Sequence, residues 1–235
     1  MTGQEENSVN TIKNIIRRCV RFLGYDIHTI DSGMNGIIKD DEEFNKTLKE
    51  VKNHTLLDLI PCYMLYQFAK ATAHVKGNIA EVGCYRGGSG KLLSRAVAGS
   101  GKKVHLFDTF GGMPPANPEI DSHKEGDFPI DYEEIIKFFS DCDNVILHRG
   151  FFPDTAAGMG DARFCFVHAD ADLYQSTADC CRFFYPKLER GGVIIFHDFD
   201  APKCPGVRKA IGEFFADKPE RPIALPMYQC FVVKQ

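Results

Sequence analysis

Residues 77–90 read GNIAEVGCYRGGSG. The first half is a short apolar run, and the second is rich in glycine and admits no regular strand. Next comes GKLLSRAVAGSG (residues 90–101), with helical spacing and glycines at its end, and then KVHLFD (103–108), a second apolar run. A strand that breaks on glycines, enters a helix and returns as a strand is the opening unit of a parallel sheet. The same alternation continues outward. NVILH (144–148), RFCFVHAD (163–170) and GGVIIFHD (191–198) read as further strands. DYEEIIKFFSD (131–141), STADCCRFFYPKLER (176–190) and GVRKAIGEFFAD (206–217) read as the helices between and after them. The final stretch PIALPMYQCFVVKQ (222–235) has two apolar runs joined tightly with no helix, which suits an antiparallel hairpin at a sheet edge. The expected fold is α/β, with helices covering both faces of a mostly parallel sheet.

Ahead of this core the chain reads as helical. Ile12, Ile15, Ile16, Cys19, Val20 and Leu23 keep helical spacing before Gly24, and residues up to about Asn10 read as disordered. DDEEFNKTLKEVKN (40–53) places acids first and lysines later, matching the helix dipole. A third, strongly apolar helix is expected from Leu56 to Val75. Residues 1–54 are therefore read as a helical extension or oligomerisation surface, and 55–235 as the main domain.

Composition removes several functions. The 235 residues carry a net charge of −4, so there is no electrostatic footprint for nucleic acid. No apolar run reaches the roughly 20 residues of a membrane helix, and the opening MTGQEENSVN has no signal-peptide core. Nine scattered cysteines read as buried free thiols of a reducing cytoplasm. Residues 111–130, GGMPPANPEIDSHKEGDFPI, hold four prolines and three glycines with little periodicity. A loop of that length after the carboxyl end of a strand is expected to be a lid over a ligand.

Three readings compete for EVGCYRGGSG. A phosphate-binding loop needs G-x-x-x-x-G-K-[ST], but Gly90-Lys91 is followed by Leu92. A nicotinamide fingerprint needs G-x-G-x-x-G, and GSGKLL from Gly88 ends on Leu93. The third is the E-x-G-x-x-x-G turn of S-adenosylmethionine (SAM) binders, which Glu81, Gly83 and Gly87 fit. Tyr85 and Ser89 lie in the same turn as cofactor contacts. Asp108, ending KVHLFD, is placed to meet ribose hydroxyls, a role shared with dinucleotide folds.

HADADLY (168–174) follows a buried strand with two carboxylates, which low-dielectric surroundings penalise unless something takes their charge. The next strand also ends in ligand-type residues, His197, Asp198 and Asp200. Asp170, His197 and Asp198 are read as converging on one divalent ion, with oxygen donors favouring Mg²⁺ and the imidazole leaving Mn²⁺ or another transition ion open. The competing reading makes these acids helix caps, with Asp172 and Ser176 suitable for that. His168, one layer deeper, reads as a core histidine.

Taken together, EVGCYRGGSG, FDTFGGMP (107–114), GFFPDT (150–155), DADLYQST (170–177), FYPKLERGGVIIFHDF (184–199) and GVRKAI (206–211) make the chain resemble a class I SAM-dependent methyltransferase. More closely it resembles the macrocin O-methyltransferase family, which methylates sugar hydroxyls of natural products, over most of the chain from about Thr55. The resemblance implies a Rossmann-like sheet of seven strands with an antiparallel last strand, bound SAM, a divalent metal and a homo-oligomer. It implies that Asp170, His197 and Asp198 are metal ligands and that Asp172 is the general base. At His197 the chain departs from the pattern, where antibiotic-tailoring members usually carry Asp. The expected activity is O-methylation of a sugar or other small hydroxylated metabolite. The alternatives are a nicotinamide-dependent oxidoreductase and a non-catalytic SAM-binding protein.

Overall fold

The computed structural model describes residues 34–235. The helix expected over Ile12–Leu23 and the disorder expected before it lie outside the described residues. By compactness the chain divides between Asn45 and Lys46. In the first part, helix α1 (Met34–Asp40) is closed by Asn45, whose Nδ2 donates to the carbonyl of Ile38 at 2.6 Å. Asp41 then starts α2 (Glu42–Val51) by accepting the amide of Phe44 at 2.9 Å.

The second part holds a seven-stranded sheet. β1 (Asn78–Val82), β2 (Val104–Asp108), β3 (Val145–Arg149), β4 (Phe164–Ala169) and β5 (Leu188–Phe196) run parallel, and β6 (Ile223–Leu225) and β7 (Gln229–Val233) form the hairpin. The order is β3-β2-β1-β4-β5-β7-β6, with β7 antiparallel to both neighbours. Between β1 and β4 the chain order reverses, and α/β sheets bind ligands at the carboxyl ends of the strands at such a point. The helices are α3 (Leu59–Thr72), α4 (Gly88–Ala96), α5 (Tyr132–Phe138), α6 (Tyr174–Phe184) and α7 (Pro205–Phe215).

The sequence explains these elements locally. Every residue of β4, FCFVHA, is buried, as expected of a strand covered on both faces. Asp131 caps α5 by accepting the amide of Glu133 at 3.0 Å, and Glu133, Glu134 and Lys137 follow the helix dipole. Proline leads α7, where its missing N–H leaves no bond unmade. Several boundaries differ from the expectation; the apolar helix expected from Leu56 to Val75, for one, runs Leu59–Thr72. The helix expected over 176–190 stops at Phe184, because Pro186 has no amide to continue the ladder, and β5 begins at Leu188. Beneath the sheet, Phe107, Phe152, Phe164 and Phe184 form an aromatic core, with Phe152 stacked on Phe184 at 5.4 Å.

At the other edge of β2, His105 Nδ1 lies 3.0 Å from His148 Nε2 on β3. Burial, and then the charge of His148, push His105 down to about 4, and burial also lowers His148. Both lie below the unfolded value near 6.5, so protons bind the unfolded chain preferentially between the two. Their contribution to stability is whole above the unfolded value and is lost as pH falls toward 4. The melting temperature is therefore expected to fall between about pH 7 and about pH 5, and to fall less in His105→Gln. Thermal melts of both proteins at both pH values check this, and equal slopes overturn it.

Candidate active site

The glycine turn after β1 is built by close approach. The Gly83 amide donates to the carbonyl of Phe107 at 2.9 Å, and the Asp170 amide donates to that of Val82 at 2.9 Å. Gly83 sits at φ +83°, and a Cβ there would lie 1.8 Å from the carbonyl oxygen of Asp170. No side chain fits at this point, so the loops after β1 and β4 meet directly. Asp108 ties the turn from the other side. Its Oδ2 accepts the amides of Cys84 and Tyr85, both at 2.9 Å, and its Oδ1 accepts that of Phe110 at 2.7 Å. Burial raises the Asp108 carboxyl, and the three amides oppose that rise.

One layer below the turn lies a buried ion pair. Glu81 and His168 are register partners on β1 and β4, both with 0% side-chain exposure, and His168 Nδ1 donates to Glu81 Oε1 at 2.7 Å. Burial works against the imidazolium, but the hydrogen bond and charge of Glu81, joined by Asp170 and Asp198, overcome it and raise His168. Glu81 Oε2 and His168 Nε2 have no hydrogen-bond partner among the described residues.

Above this pair, Asp170, His197 and Asp198 bring their ligand atoms within 4.8 Å of one another. The His197 amide donates to the carbonyl of Ala169 at 2.9 Å, so the end of β5 is fixed against β4. His197 Nε2 points toward Asp198 Oδ1 at 3.9 Å, while its buried Nδ1 has no partner among the described residues. Burial raises Asp170, opposed by His197 and His168. Asp172 is pushed up much further, by burial first, then by the charges of Asp170 and Asp198. Asp172 and Asp198 both hold left-handed backbone, at φ +54° and +57°. Non-glycine residues seldom adopt this conformation, and they do so most often where side-chain direction matters more than local comfort.

These groups share one cleft of about 310 Å³. Gly83, Tyr85, Ser89 and Asp108 line it together with Asp170, Asp172, His197 and Asp198. Glu81 and Gly87 are not in the lining. Glu81 is buried behind the turn, and Gly87 gives room to Phe139, whose ring would stand 2.6 Å from a Cβ there. The loop 111–130 contributes Gly112, Met113, Pro114, Asp127 and Phe128 to the cleft, and Tyr85 meets Phe128 edge-on at 5.7 Å.

Asp172 and Ser176 do not cap α6. Its first amide, on Tyr174, is accepted at 2.9 Å by Asp121 Oδ1, from the loop 111–130. That cap joins residues 53 positions apart, a pairing no local motif announces. Sequence reasoning also missed the Glu81–His168 pair, although two polar residues each one short of the end of adjacent strands carried a signal. His54–Leu57 was missed as well. This segment crosses the turn, with the Gly88 amide donating to the His54 carbonyl at 2.9 Å, and it forms part of the cleft wall.

Comparison with known proteins gives a consistent result. The family model described as macrocin-O-methyltransferase (TylF) matches residues 67–230. The tetracenomycin-pathway rhamnosyl 4'-O-methyltransferase of Streptomyces olivaceus is 30% identical over 55% of this chain and 56% of its own length. Demethyldecarbamoylnovobiocin O-methyltransferase of Streptomyces niveus is 28% identical over 61% of this chain and 60% of its own. The chain thus spans somewhat over half the length of these curated relatives. Among solved structures, the O-methyltransferase NovP aligns with a TM-score of 0.67 at 23% identity, over 77% of this chain and 82% of its own. The calicheamicin methyltransferase CalS11 aligns at 0.62 and 19% identity, over 88% and 94%. These structures share the class I methyltransferase fold.

The buried pair generates a prediction. His168→Ala leaves the Glu81 carboxylate buried without its partner and is expected to cost about 3–5 kcal/mol. Urea unfolding measures the loss, and a change below about 1 kcal/mol would show that the pair carries no such burden.

Proposed function

The chain belongs to the macrocin-O-methyltransferase (TylF) family, and from that premise we propose that it moves the methyl group of SAM to a hydroxyl oxygen of a sugar or other small hydroxylated metabolite. One observation carries this reading. The glycine turn with Asp108 and the cluster Asp170–Asp172–His197–Asp198 line a single cleft at the switch point of the sheet. A methyl donor at the turn and an acceptor oxygen at the cluster would be held together in that cleft, and such positioning by itself removes much of a bimolecular barrier. A nicotinamide oxidoreductase, the second enzyme reading, has neither a fitting fingerprint nor support from the family.

The turn suits SAM because Gly83, Tyr85, Ser89 and Asp108 line the cleft together there. Asp108 holds the turn with three accepted amides and keeps lone-pair capacity on Oδ1 for a ribose hydroxyl. When bound, SAM supplies a methyl carbon made electrophilic by its sulfonium. The carboxylate cluster suits a divalent cation. Two carboxylates and an imidazole already converge there, and the His197 ring sits in the site with Nε2 turned toward Asp198. When bound, such an ion, Mg²⁺ or Mn²⁺, would polarise a hydroxyl oxygen. The chain's own residues would do the rest. Asp170, His197 and Asp198 hold the charge in place. Asp172, raised by burial and its acidic neighbours, accepts the hydroxyl proton at its carboxylate as the oxygen takes the methyl group. The loop 111–130 excludes water, and the exposed side chains of Leu56, Phe128 and Phe151 at the cleft present an apolar face to the acceptor skeleton.

This reading includes a homo-oligomer in a reducing cytoplasm. Supporting the compartment, the eight described cysteines are all free and seven are buried. Among the described residues no helix is long and apolar enough to cross a membrane.

Asp172→Asn is expected to bind SAM with unchanged affinity by calorimetry while turnover falls about 10²–10⁴-fold; retained turnover removes Asp172 as the base. Asp198→Asn is expected to weaken Mn²⁺ binding by more than about tenfold, read by electron paramagnetic resonance of free Mn²⁺. Unchanged Mn²⁺ affinity would remove Asp198 from the metal set.

A further inference from the structure

A second group of metal-ligating side chains lies beside the first. His123, Asp172 and Cys204 bring one ligand atom each within 4.8 Å of the others. They come from three separate places: the loop 111–130, the turn after β4, and the residue before α7. Cys204 Sγ already donates to Asp172 Oδ1 at 3.7 Å, and Cys204 is buried with its sulfur toward the acid. His123 stands on the loop with its Nδ1 3.6 Å from Asp127 Oδ2.

This meeting is held by more than chance packing of a loop. Asp121, two residues before His123, is itself buried, bonds one neighbouring segment and packs closely against the other. Its Oδ1 accepts the amide of Tyr174, two residues after Asp172, at 2.9 Å. The same oxygen would lie 2.5 Å from a Cβ on Gly206, two residues after Cys204, so only glycine admits it there. One carboxylate therefore sets His123 against both of its partners.

We propose that His123, Asp172 and Cys204 form a second cation site, which takes a zinc-class ion and ties the loop 111–130 to the sheet. The donor chemistry decides the class. An imidazole, a carboxylate and a thiolate are nitrogen, oxygen and sulfur in one set of three, which suits Zn²⁺ or Co²⁺ with a fourth position left open. Magnesium and calcium are hard ions and take no thiolate. Binding displaces the Cys204 proton to solvent, so uptake releases acid. The first cluster lacks sulfur, and the two clusters thus select different metals. A consequence rests on the methyl-transfer reading: an ion holding Asp172 removes the proton acceptor, and zinc acts as an inhibitor.

The binding itself is tested without any methyl acceptor. Metal-free full-length protein is titrated with Co²⁺, and the thiolate-to-cobalt charge-transfer band is followed in the near ultraviolet. A band displaced by Zn²⁺ is expected. Cys204→Ser should abolish it, and His123→Asn should weaken Co²⁺ affinity at least about tenfold. Asp198→Asn, which strips the first cluster, should leave the band in place. No band in the wild type, a band surviving Cys204→Ser, or unchanged affinity in His123→Asn overturns the proposal. Loss of the band in Asp198→Asn would assign the thiolate to the first cluster and overturn it too. His123→Asn changes only a loop residue, so the test stands even where Cys204→Ser fails to fold. Mn²⁺ binding by the first cluster is read separately, so either site can fail alone.

Discussion

The carbonyl oxygen of Asp170 occupies the place where a side chain at residue 83 would begin. Everything at the site depends on that contact. It lets the turn after β1 lie directly against the turn after β4, with no layer of side chains between them. The two walls of the cleft are thereby set by backbone, which is stiffer than any side-chain packing. The amides accepted by Asp108 fasten the same turn to the loop after β2. Three consecutive loops of the sheet are joined at one point, and the carboxylates rise from that platform.

The charges of the site are layered. Deepest is the Glu81–His168 pair, sealed from water. Above it come Asp170, His197 and Asp198, then Asp172 at the level of the loop 111–130. Carboxylates outnumber imidazoles in this stack, and burial raises both Asp170 and Asp172. A site with this imbalance favours whatever brings positive charge, whether a metal cation or the sulfonium of a methyl donor. The left-handed backbone at Asp172 and Asp198 belongs to the same economy of geometry, turning two strand-end acids toward one point.

Much of this was legible in the chain. Strand and helix alternation places β1 to β5 because each is a local hydrophobic pattern. Asp170, His197 and Asp198 come together because parallel strands end on the same side of a sheet, and residues at those ends converge whatever the intervening sequence. Gly83 was legible as part of the glycine turn, though its contact with the Asp170 carbonyl was not. What stayed hidden has a common physical character. The tie from Asp121 to Tyr174, the pairing of Glu81 with His168 and the passage of His54 over Gly88 all join segments remote in sequence. Each depends on strand register or loop path, and neither is written in composition or periodicity. Glu81 stands at its motif position with its carboxylate fully buried against its register partner His168, a contact that the motif does not announce.

The cap on α6 has a consequence for access to the cleft. Asp121 belongs to the covering loop, and the amide it accepts belongs to the first turn of α6. Swinging the loop away leaves that amide to water, at a cost of about 1 kcal/mol for a lost cap. Displacement of the loop and uncapping of the helix start are thus one event. Asp172 lies two residues before that amide, so the loop, the helix start and this acid are tied to one carboxylate, and none moves without disturbing the others.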